Sequence, residues 1–294
     1  MEGFALNLAG HYGASKPALS FELFPPKTEQ GMLSLFQHLE ELARCNPAYI
    51  TCTYGAGGST QGRTLEVLQR VREAYPHIPV ASHLTCVGAT VGDLRGYIRQ
   101  AIALHVEYIV ALRGDPPKDQ SSFVPVAGGL SFGNELVALI HREFPALGVI
   151  VGGYPEVHPE AVSPEVDLDM LKQKVDAGAH VVITQLFYDN GAFYRFRDRC
   201  VTAGIAVPIV PGVLPITKLS QIAPDKTMFG AQLPATLVER MYRFTDDAEG
   251  QFAVGVYSAA RQVEDLVEHS VPGVHFYVLN HSRAAAHICR ALAL

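Results

Sequence analysis

Several features that would assign the chain to a particular class of protein are absent from its 294 residues. No window stays apolar long enough to span a bilayer, and residues 1–16 lack the continuous apolar stretch of a signal peptide. Basic runs interleaved with aromatic residues are also missing, and the net charge is −6, which argues against nucleic acid as a partner. We therefore expect a soluble, unprocessed cytoplasmic protein that binds neither membranes nor nucleic acid.

Cysteines are few and widely spaced. The sequence has five, with no C-x-x-C pair, and an odd number cannot all be paired in disulfides. They are predicted to be reduced thiols in a cytosol. His83 and Cys86 are three residues apart in a predicted strand, a spacing that directs their side chains to opposite faces. No metal site is predicted there.

The two common phosphate-binding loops are missing as well. The nearest match to G-x-G-x-x-G, at 55–60, has Thr60 in place of the third glycine, and the pattern G-x-x-x-x-G-K-[ST] does not occur. These absences argue against a doubly wound dinucleotide-binding fold.

What the sequence does contain is a regular alternation of β-rich runs and amphipathic helical stretches, typical of βα units around a parallel sheet. A hydrophobic content of 48% is ample for a large core. Strands are predicted at 18–24, 48–54, 80–86, 108–112, 149–153, 180–187, 208–214 and 274–279. Helices are predicted at 31–44, 60–74, 91–104, 134–144, 168–177 and 193–203, with extra helices in about 217–269. This pattern predicts an α/β protein of the (β/α)8 TIM-barrel class, with 1–294 as a single domain.

Polar residues stand at the ends of the predicted strands, where the loops of such barrels build the active site. Strand alternation places Glu22 on the opposite face from Phe21 and Leu23, so Glu22 points into the barrel mouth if those two meet the helices. A carboxyl flanked by apolar residues and two prolines would be desolvated, which favours its protonated form and suits a general acid. Pairing with a nearby arginine is an equally good interpretation. The other strand-end residues are Thr53, His83, Asp115, Tyr154, His158, Gln185 and Asn280.

The roles of these other residues stay open at this level. Asp115 follows a glycine and precedes a proline, which is ordinary turn chemistry. His83 and His158 could be ligands, bases or structural histidines. The amide of Gln185, inside an apolar strand, needs hydrogen-bond partners that a polar ligand could supply, and this favours a binding role.

Eight segments, in order from about residue 20 to about residue 287, resemble the bacterial methylenetetrahydrofolate reductases. They are Phe-Glu-Leu-Phe-Pro-Pro, Thr-Tyr-Gly-Ala, Leu-Arg-Gly-Asp, Tyr-Pro-Glu-Val-His-Pro-Glu-Ala, Lys-Val-Asp-Ala-Gly-Ala, Thr-Gln-Leu-Phe-Tyr-Asp, Arg-Phe-Arg-Asp-Arg-Cys and Phe-Tyr-Val-Leu-Asn. The resemblance implies an FAD-dependent (β/α)8 barrel that reduces 5,10-methylenetetrahydrofolate to 5-methyltetrahydrofolate. NADH or NADPH would reduce FAD in a ping-pong mechanism, in one-carbon metabolism and methionine supply.

The same resemblance implies roles for individual residues. Glu22 would be the general acid of the folate half-reaction, and Asp115 would lie beside the flavin and the pterin ring. Gln185 and Gln221 would contact folate. Residues that match the family's FAD contacts are Thr53, Tyr54, Ala56, His83, Arg113, Gly114, Asp115, Tyr154, His158, Ala161, Asp167 and Lys174. We also expect a homo-oligomer.

The chain departs from the family pattern at two positions, both on the folate side. His281 stands where bacterial members usually carry an arginine for the folate tail, and a neutral histidine binds a carboxylate more weakly than a bidentate arginine. Arg283 follows two residues later. Asp225 occupies a position where some members place an aromatic residue that stacks on folate.

Two other functions are compatible with these residues. Another flavin barrel, such as a proline-dehydrogenase-like oxidase, would fail to respond when the reduced enzyme is titrated with folate. A non-enzymatic flavin- or folate-binding protein would keep its flavin colour when NADH is added.

Overall fold

The strands of this protein are short and all run parallel. The computed structural model describes residues 8–13, 16–54, 61–116, 122–222 and 231–294. Its strands are β1 (Ala18–Leu23), β2 (Tyr49–Cys52), β3 (Val80–Thr85), β4 (Tyr108–Leu112), β5 (Gly148–Gly153), β6 (Val181–Thr184), β7 (Ile209–Val210), β8 (Gly212–Val213) and β9 (Gly273–Tyr277). They form one sheet in the order β7-β6-β5-β4-β3-β2-β1-β9-β8.

The sheet closes on itself at Pro211, the one residue between β7 and β8. β7 pairs with β6, while β8 pairs with β9. Proline has no N–H to donate, so it interrupts a strand, but the Pro211 carbonyl still accepts a hydrogen bond of 2.9 Å from the His275 amide. β7 and β8 are thus two halves of one predicted strand, and the fold is the predicted (β/α)8 barrel.

Helices cover the outside of the barrel. They are α1 (Glu29–Ala43), α2 (Gln61–Ala74), α3 (Val91–Ala103), α4 (Gly133–Glu143), α5 (Pro164–Asp176), α6 (Asn190–Thr202), α7 (Ala235–Tyr242), α8 (Ala248–Glu268) and α9 (Arg283–Ala291). The segment 218–222 forms a 3-10 turn, Leu219–Gln221, instead of an α-helix. No described helix is long and apolar enough to cross a membrane.

Helix α5 begins four residues before the predicted 168–177 helix. Ser163 caps it, because its side chain accepts a hydrogen bond from the Val166 amide at 3.3 Å. Pro164 fits the first turn, where its missing N–H has no partner to lose.

Two apolar clusters lie on opposite faces of the strands, as alternation requires. Tyr49, Tyr108 and Ile150 belong to the cluster inside the barrel. Phe21 and Leu23 belong to the larger cluster that contains the apolar faces of the surrounding helices. This arrangement directs Ser20 and Glu22 into the barrel.

Side-chain hydrogen bonds of Asn280 connect the end of β1 to the segment that follows β9. Its Nδ2 donates to the Phe24 carbonyl and its Oδ1 accepts from the Phe24 amide, both at 2.8 Å. The Asn280 backbone has a φ of 59°, a left-handed conformation that asparagine tolerates better than most residues. This strand-end residue therefore has a structural role in closing the barrel.

Candidate active site

Glu22 is a buried carboxyl group inside the barrel, near the carboxyl end of β1. Only 7% of the residue is exposed. In the register of the sheet it lies beside Thr51 of β2 and Tyr277 of β9. The arginine partner that the sequence left open is not found among the described residues. Glu22 instead faces two histidines.

His83 is the nearer of these histidines. Its Nε2 lies 3.3 Å from Glu22 Oε2. Burial lowers the pKa of His83, and the attraction of Glu22 opposes this only in part. His83 is thus predominantly neutral at pH 7, and it can donate a hydrogen bond to the Glu22 carboxylate or accept one from its protonated form.

His275 is the second histidine, and sequence reasoning missed it. Its Nε2 lies 3.9 Å from Glu22 Oε2, and its Nδ1 is 2.8 Å from Ser20 Oγ. The residue is only 1% exposed. The signal was present in the sequence, because alternation places His275 and Tyr277 on the face of β9 opposite to Val274 and Phe276.

Tyr277 completes this group. Its hydroxyl donates to the Thr184 carbonyl at 2.8 Å, and its ring packs edge-on against His275 with centroids 5.1 Å apart. Burial, reinforced by the negative charge of Glu22, raises the pKa of Tyr277 well above its usual value. Tyr277 therefore stays protonated and helps to fix the His275 ring.

A second group of predicted residues lies around the ends of β4 and β5. The guanidinium of Arg113 binds the Glu160 carboxylate at 2.7 Å, and the Tyr154 ring packs against His158 with centroids 4.6 Å apart. Burial raises the pKa of Tyr154 to about 12, with Asp115 adding to the effect. Asp115 itself is exposed at the rim.

His158 is held by its neighbours on both sides. Its amide donates to Asp167 at 3.1 Å, and its Nδ1 accepts from the Glu160 amide at 3.0 Å. Its carbonyl accepts from the Ala161 amide at 2.9 Å. Because Nδ1 is an acceptor here, a neutral His158 carries its proton on Nε2. Burial lowers its pKa.

Lys174 adds a partly buried cation to this second group. Its Nζ donates to the Gly152 carbonyl at 2.6 Å. Burial lowers the pKa of the Lys174 ammonium to about 8, although the negative charge of Asp167 opposes the shift. The ammonium is therefore available to an anionic ligand at neutral pH, and its charge is lost under mildly basic conditions.

Gly114, Thr85 and Val87 pack closely together and form a wall next to Arg113. Gly114 has a φ of +86°, and a Cβ there would lie 2.7 Å from Val87 Cγ2 and 2.9 Å from Thr85 Cβ. The Thr85 hydroxyl is buried and has no hydrogen-bond partner among the described residues. Buried hydroxyl groups are normally hydrogen bonded, so a bound ligand or water is expected to provide the partner of this one. Together with Arg113 and Lys174, this wall fits a ligand that is both polar and anionic.

Thr53 and Tyr54 differ in position. The Thr53 carbonyl accepts a hydrogen bond from the Thr64 hydroxyl at 2.8 Å. Tyr54 is buried in the outer cluster, where its ring packs against Tyr97 with centroids 5.1 Å apart. The ring of Tyr54 thus faces α3 instead of the barrel mouth. Ala56, also predicted to contact FAD, lies outside the described residues.

The two predicted glutamines are partly engaged by nearby backbone. Gln185 lies one residue beyond β6, and its Oε1 accepts from the Leu186 amide at 2.9 Å. The Oε1 of Gln221 accepts from the amides of Thr217 and Lys218 at 2.8 and 3.0 Å. In both residues the amide oxygen orders its own loop, and a folate contact through the amide nitrogen stays a prediction.

His281 lies at the exposed rim, in a group of basic residues. Its ring is 5.3 Å from that of His38. Burial lowers the pKa of His281, and the positive charges of His38 and Lys218 add to this shift. Arg283 is engaged elsewhere, because it binds Glu249 and its guanidinium lies 3.9 Å above the Phe252 ring. Asp225 falls outside the described residues.

In the described part of the chain, no three residues drawn from histidine, cysteine, aspartate and glutamate are placed to hold a metal ion. His83 points to Glu22, whereas Cys86 belongs to the outer cluster, as strand alternation predicts.

The chain is similar to known proteins in both sequence and structure. A sequence profile of the family described as methylenetetrahydrofolate reductase matches residues 8–293. The 5,10-methylenetetrahydrofolate reductase of Escherichia coli is 37% identical over 277 residues, covering 94% of this chain and 90% of that protein. Methylenetetrahydrofolate reductase (NADH) 1 of Arabidopsis thaliana is 35% identical over 94% of this chain but only 48% of its own length.

Among solved structures, a Clostridium thermocellum protein that binds two copies of 5-methyl-5,6,7,8-tetrahydrofolic acid superimposes with a TM-score of 0.62. The two chains are 15% identical, and the match covers 94% of this chain and 95% of the other. At this identity the match supports the barrel fold alone. The sequence matches go further: the chain belongs to the methylenetetrahydrofolate reductase family, the oxidoreductases of folate one-carbon metabolism.

Proposed function

We propose that this protein transfers a hydride from NAD(P)H through bound FAD to 5,10-methylenetetrahydrofolate in two separate half-reactions, with Glu22 as the proton donor to folate. The observation that carries the proposal is the buried Glu22 carboxyl between His83 and His275 inside the barrel. The Arabidopsis relative is named for NADH, which supports NADH as the electron donor.

The residues at the ends of β3, β4 and β5 suit FAD. FAD, when bound, supplies the two-electron carrier between the nicotinamide and the folate. Arg113 and Lys174 offer cationic donors to its diphosphate, and the Thr85 hydroxyl offers a further donor. Gly114 lets the turn between Arg113 and Asp115 pack directly against Thr85 and Val87, because any side chain there would collide with them.

Glu22 supplies the proton that opens the five-membered ring of the folate. When the bond between the bridging carbon and the leaving nitrogen breaks, negative charge develops on that nitrogen. A positioned acid that gives its proton at that moment lowers the barrier. Loss of the proton leaves a carboxylate, which the Nε2–H of neutral His83 can stabilise across 3.3 Å.

Ser20 and His275 position this acid. The 2.8 Å contact between Ser20 Oγ and His275 Nδ1 fixes the orientation of the imidazole, so that its Nε2 faces Glu22. Both residues are 1% exposed, so water does not compete for these contacts. The pair thus restricts Glu22 to the barrel interior.

The proposal is tested with the purified protein under anaerobic conditions. We expect a yellow protein whose flavin absorbance is bleached by NADH and restored by 5,10-methylenetetrahydrofolate, with 5-methyltetrahydrofolate as the product. Bleaching without restoration by folate would support a different flavin oxidoreductase. A protein that neither retains nor binds FAD would refute the proposal.

A further inference from the structure

Two of the five cysteines lie together, although they are 244 residues apart in the sequence. Cys45 follows the carboxyl end of α1, and Cys289 lies in α9. The side chains of the two residues are hydrogen bonded to each other. Cys289 is buried and Cys45 is partly exposed, and both are free thiols.

A fixed register between the first and last helices brings these thiols together. His38 Nδ1 lies 3.0 Å from Ser282 Oγ, and Ser282 Oγ donates to Glu41 at 2.5 Å. Cys45 and Cys289 each lie seven residues beyond His38 and Ser282, respectively. Ser282 is the N-cap of α9 and Cys45 lies two residues past the end of α1, so the cysteine pair lies about two helical turns further along the same two helices than the His38–Ser282 pair.

The backbone around Cys45 is also well defined. The Cys45 amide donates to the Leu42 carbonyl at 3.0 Å, and Asn46 adopts a left-handed φ of 50° that ends the helix. At the other end, the Leu294 amide donates to the Cys289 carbonyl at 3.1 Å. Cys45 thus lies in a hydrogen-bonded turn directly after α1, and Cys289 lies within α9.

We propose that Cys45 and Cys289 form a reversible intramolecular disulfide when the protein meets a low-molecular-weight disulfide oxidant, and that this bond staples the last helix to the first. The staple lies at the amino-terminal face of the barrel, because α1 and α9 both run from the mouth towards that face. It is therefore distant from Glu22.

The surroundings of the two thiols indicate which of them attacks the oxidant first. A hydrogen bond from Cys289 lowers the pKa of Cys45 to about 7, and the charge of Arg290 acts in the same direction. The same hydrogen bond, together with burial, raises the pKa of Cys289. Thiolate is the reactive form of cysteine, and Cys45 is partly exposed whereas Cys289 is buried, so Cys45 is the attacking group.

The disulfide forms in two successive thiol–disulfide exchange steps. The Cys45 thiolate attacks one sulfur of the oxidant RSSR, a Cys45–SR bond forms, and RS⁻ leaves and takes up a proton. Cys289 then loses its proton to solvent and attacks Cys45 Sγ, which releases the second RS⁻. Two thiols lose two electrons in total, and one RSSR becomes two RSH. Excess dithiol reductant reverses both steps.

The remaining cysteines provide an internal contrast. Burial raises the pKa of Cys86 and of Cys200 to about 12, and burial also raises that of Cys52. These three thiols are buried and should stay reduced under conditions that oxidise Cys45.

The test is oxidation of the full chain with glutathione disulfide, followed by alkylation and mass spectrometry. We expect two fewer alkylated cysteines, a fragment in which Cys45 is linked to Cys289, and full reversal by dithiothreitol. Cross-linking residues so far apart in the sequence should raise the Tm by about 5 to 10 °C.

Three cysteine variants test whether the Cys45–Cys289 cross-link causes the rise in Tm. Cys45→Ser and Cys289→Ser should each abolish the difference in Tm between oxidised and reduced protein, whereas Cys200→Ala should retain it. A lasting glutathione adduct on Cys45 without the cross-link would overturn the proposal. The same conclusion would follow if both thiols stayed alkylatable after oxidation, or if Cys289→Ser kept the shift in Tm.

Discussion

Replacing Lys174 by methionine should weaken FAD binding, and the size of the loss should depend on pH. Methionine keeps an unbranched apolar stem and removes the charge. Hydrogen bonds to charged groups contribute roughly 1.5–3 kcal/mol, so the Kd for FAD at pH 7 should rise by roughly 10- to 150-fold, at about 1.4 kcal/mol for each factor of ten.

The pH dependence follows from the environment of Lys174. Burial lowers the pKa of its ammonium to about 8, so the group is mostly charged at pH 7 and mostly neutral at pH 9. If FAD binds the charged form, binding raises the pKa of Lys174, and the Kd of the wild-type protein should rise about tenfold from pH 7 to pH 9. Lys174→Arg stays charged across this range, so its Kd should be flat.

Fluorescence titration of the apoprotein with FAD measures all three proteins. A thermal melt of each apoprotein serves as the folding control, because Lys174→Met also removes the hydrogen bond to the Gly152 carbonyl, and a cooperative melt shows that the variant is folded. The reasoning is refuted if the wild-type Kd does not change between pH 7 and pH 9, or if Lys174→Met binds FAD as tightly as the wild type.

Three further predictions concern single residues around the mouth. Gly114→Ala should lower the Tm and weaken FAD binding by more than Gly88→Ala, because both glycines have positive φ but only at Gly114 does a Cβ meet other atoms within 4 Å; equal effects in melts and titrations would argue against the collision. Asp115→Asn should raise the flavin midpoint potential, because removing a negative charge favours the reduced flavin anion; potentiometry that shows no change or a fall would contradict this placement. His281→Arg should lower the KM for folate and make it independent of pH. In the wild type, the KM should increase as the pH is raised towards about 6.5, because burial lowers the pKa of His281 and its charge is lost in that range. Identical pH profiles in steady-state assays would assign the folate tail to another group.

Strand alternation was sufficient to predict the position of Glu22. Phe21 and Leu23 pack among the helices, and Glu22 therefore points inward. Alternation alone could not identify its neighbours, because β1 meets β9 only when the barrel closes. That closure brings Ser20 to His275 across 255 residues, and no local pattern encodes such a contact.

The glutamines show a second limit of sequence reasoning. Gln185 was placed inside a strand because its flanking residues are apolar, but β6 ends at Thr184 and the amide oxygen of Gln185 binds the next backbone amide. Whether an amide serves its own loop or a ligand depends on local backbone geometry. Residue type does not determine that geometry.

For Tyr54, the family resemblance and the geometry of the strand lead to different expectations. The resemblance of the sequence implies that Tyr54 contacts the cofactor, whereas alternation from Thr51 and Thr53 directs its ring outward, where it packs against Tyr97. A contact between Tyr54 and FAD would therefore involve its backbone.

The measurement that tests the central claim most directly is stopped-flow kinetics of Glu22→Gln, with each half-reaction followed separately. Glutamine keeps the size of the side chain but cannot give up a proton at neutral pH. Glu107→Gln is the matched control, since Glu107 is a buried carboxyl at the amino-terminal end of β4 that accepts from the Val80 amide at 2.9 Å. We predict near-normal reduction of the flavin by NADH in both variants, and reoxidation by folate slowed at least ~10²-fold in Glu22→Gln alone. Equal loss of both half-reactions in Glu22→Gln would make Glu22 a structural residue, and unchanged reoxidation would show that the proton comes from another group.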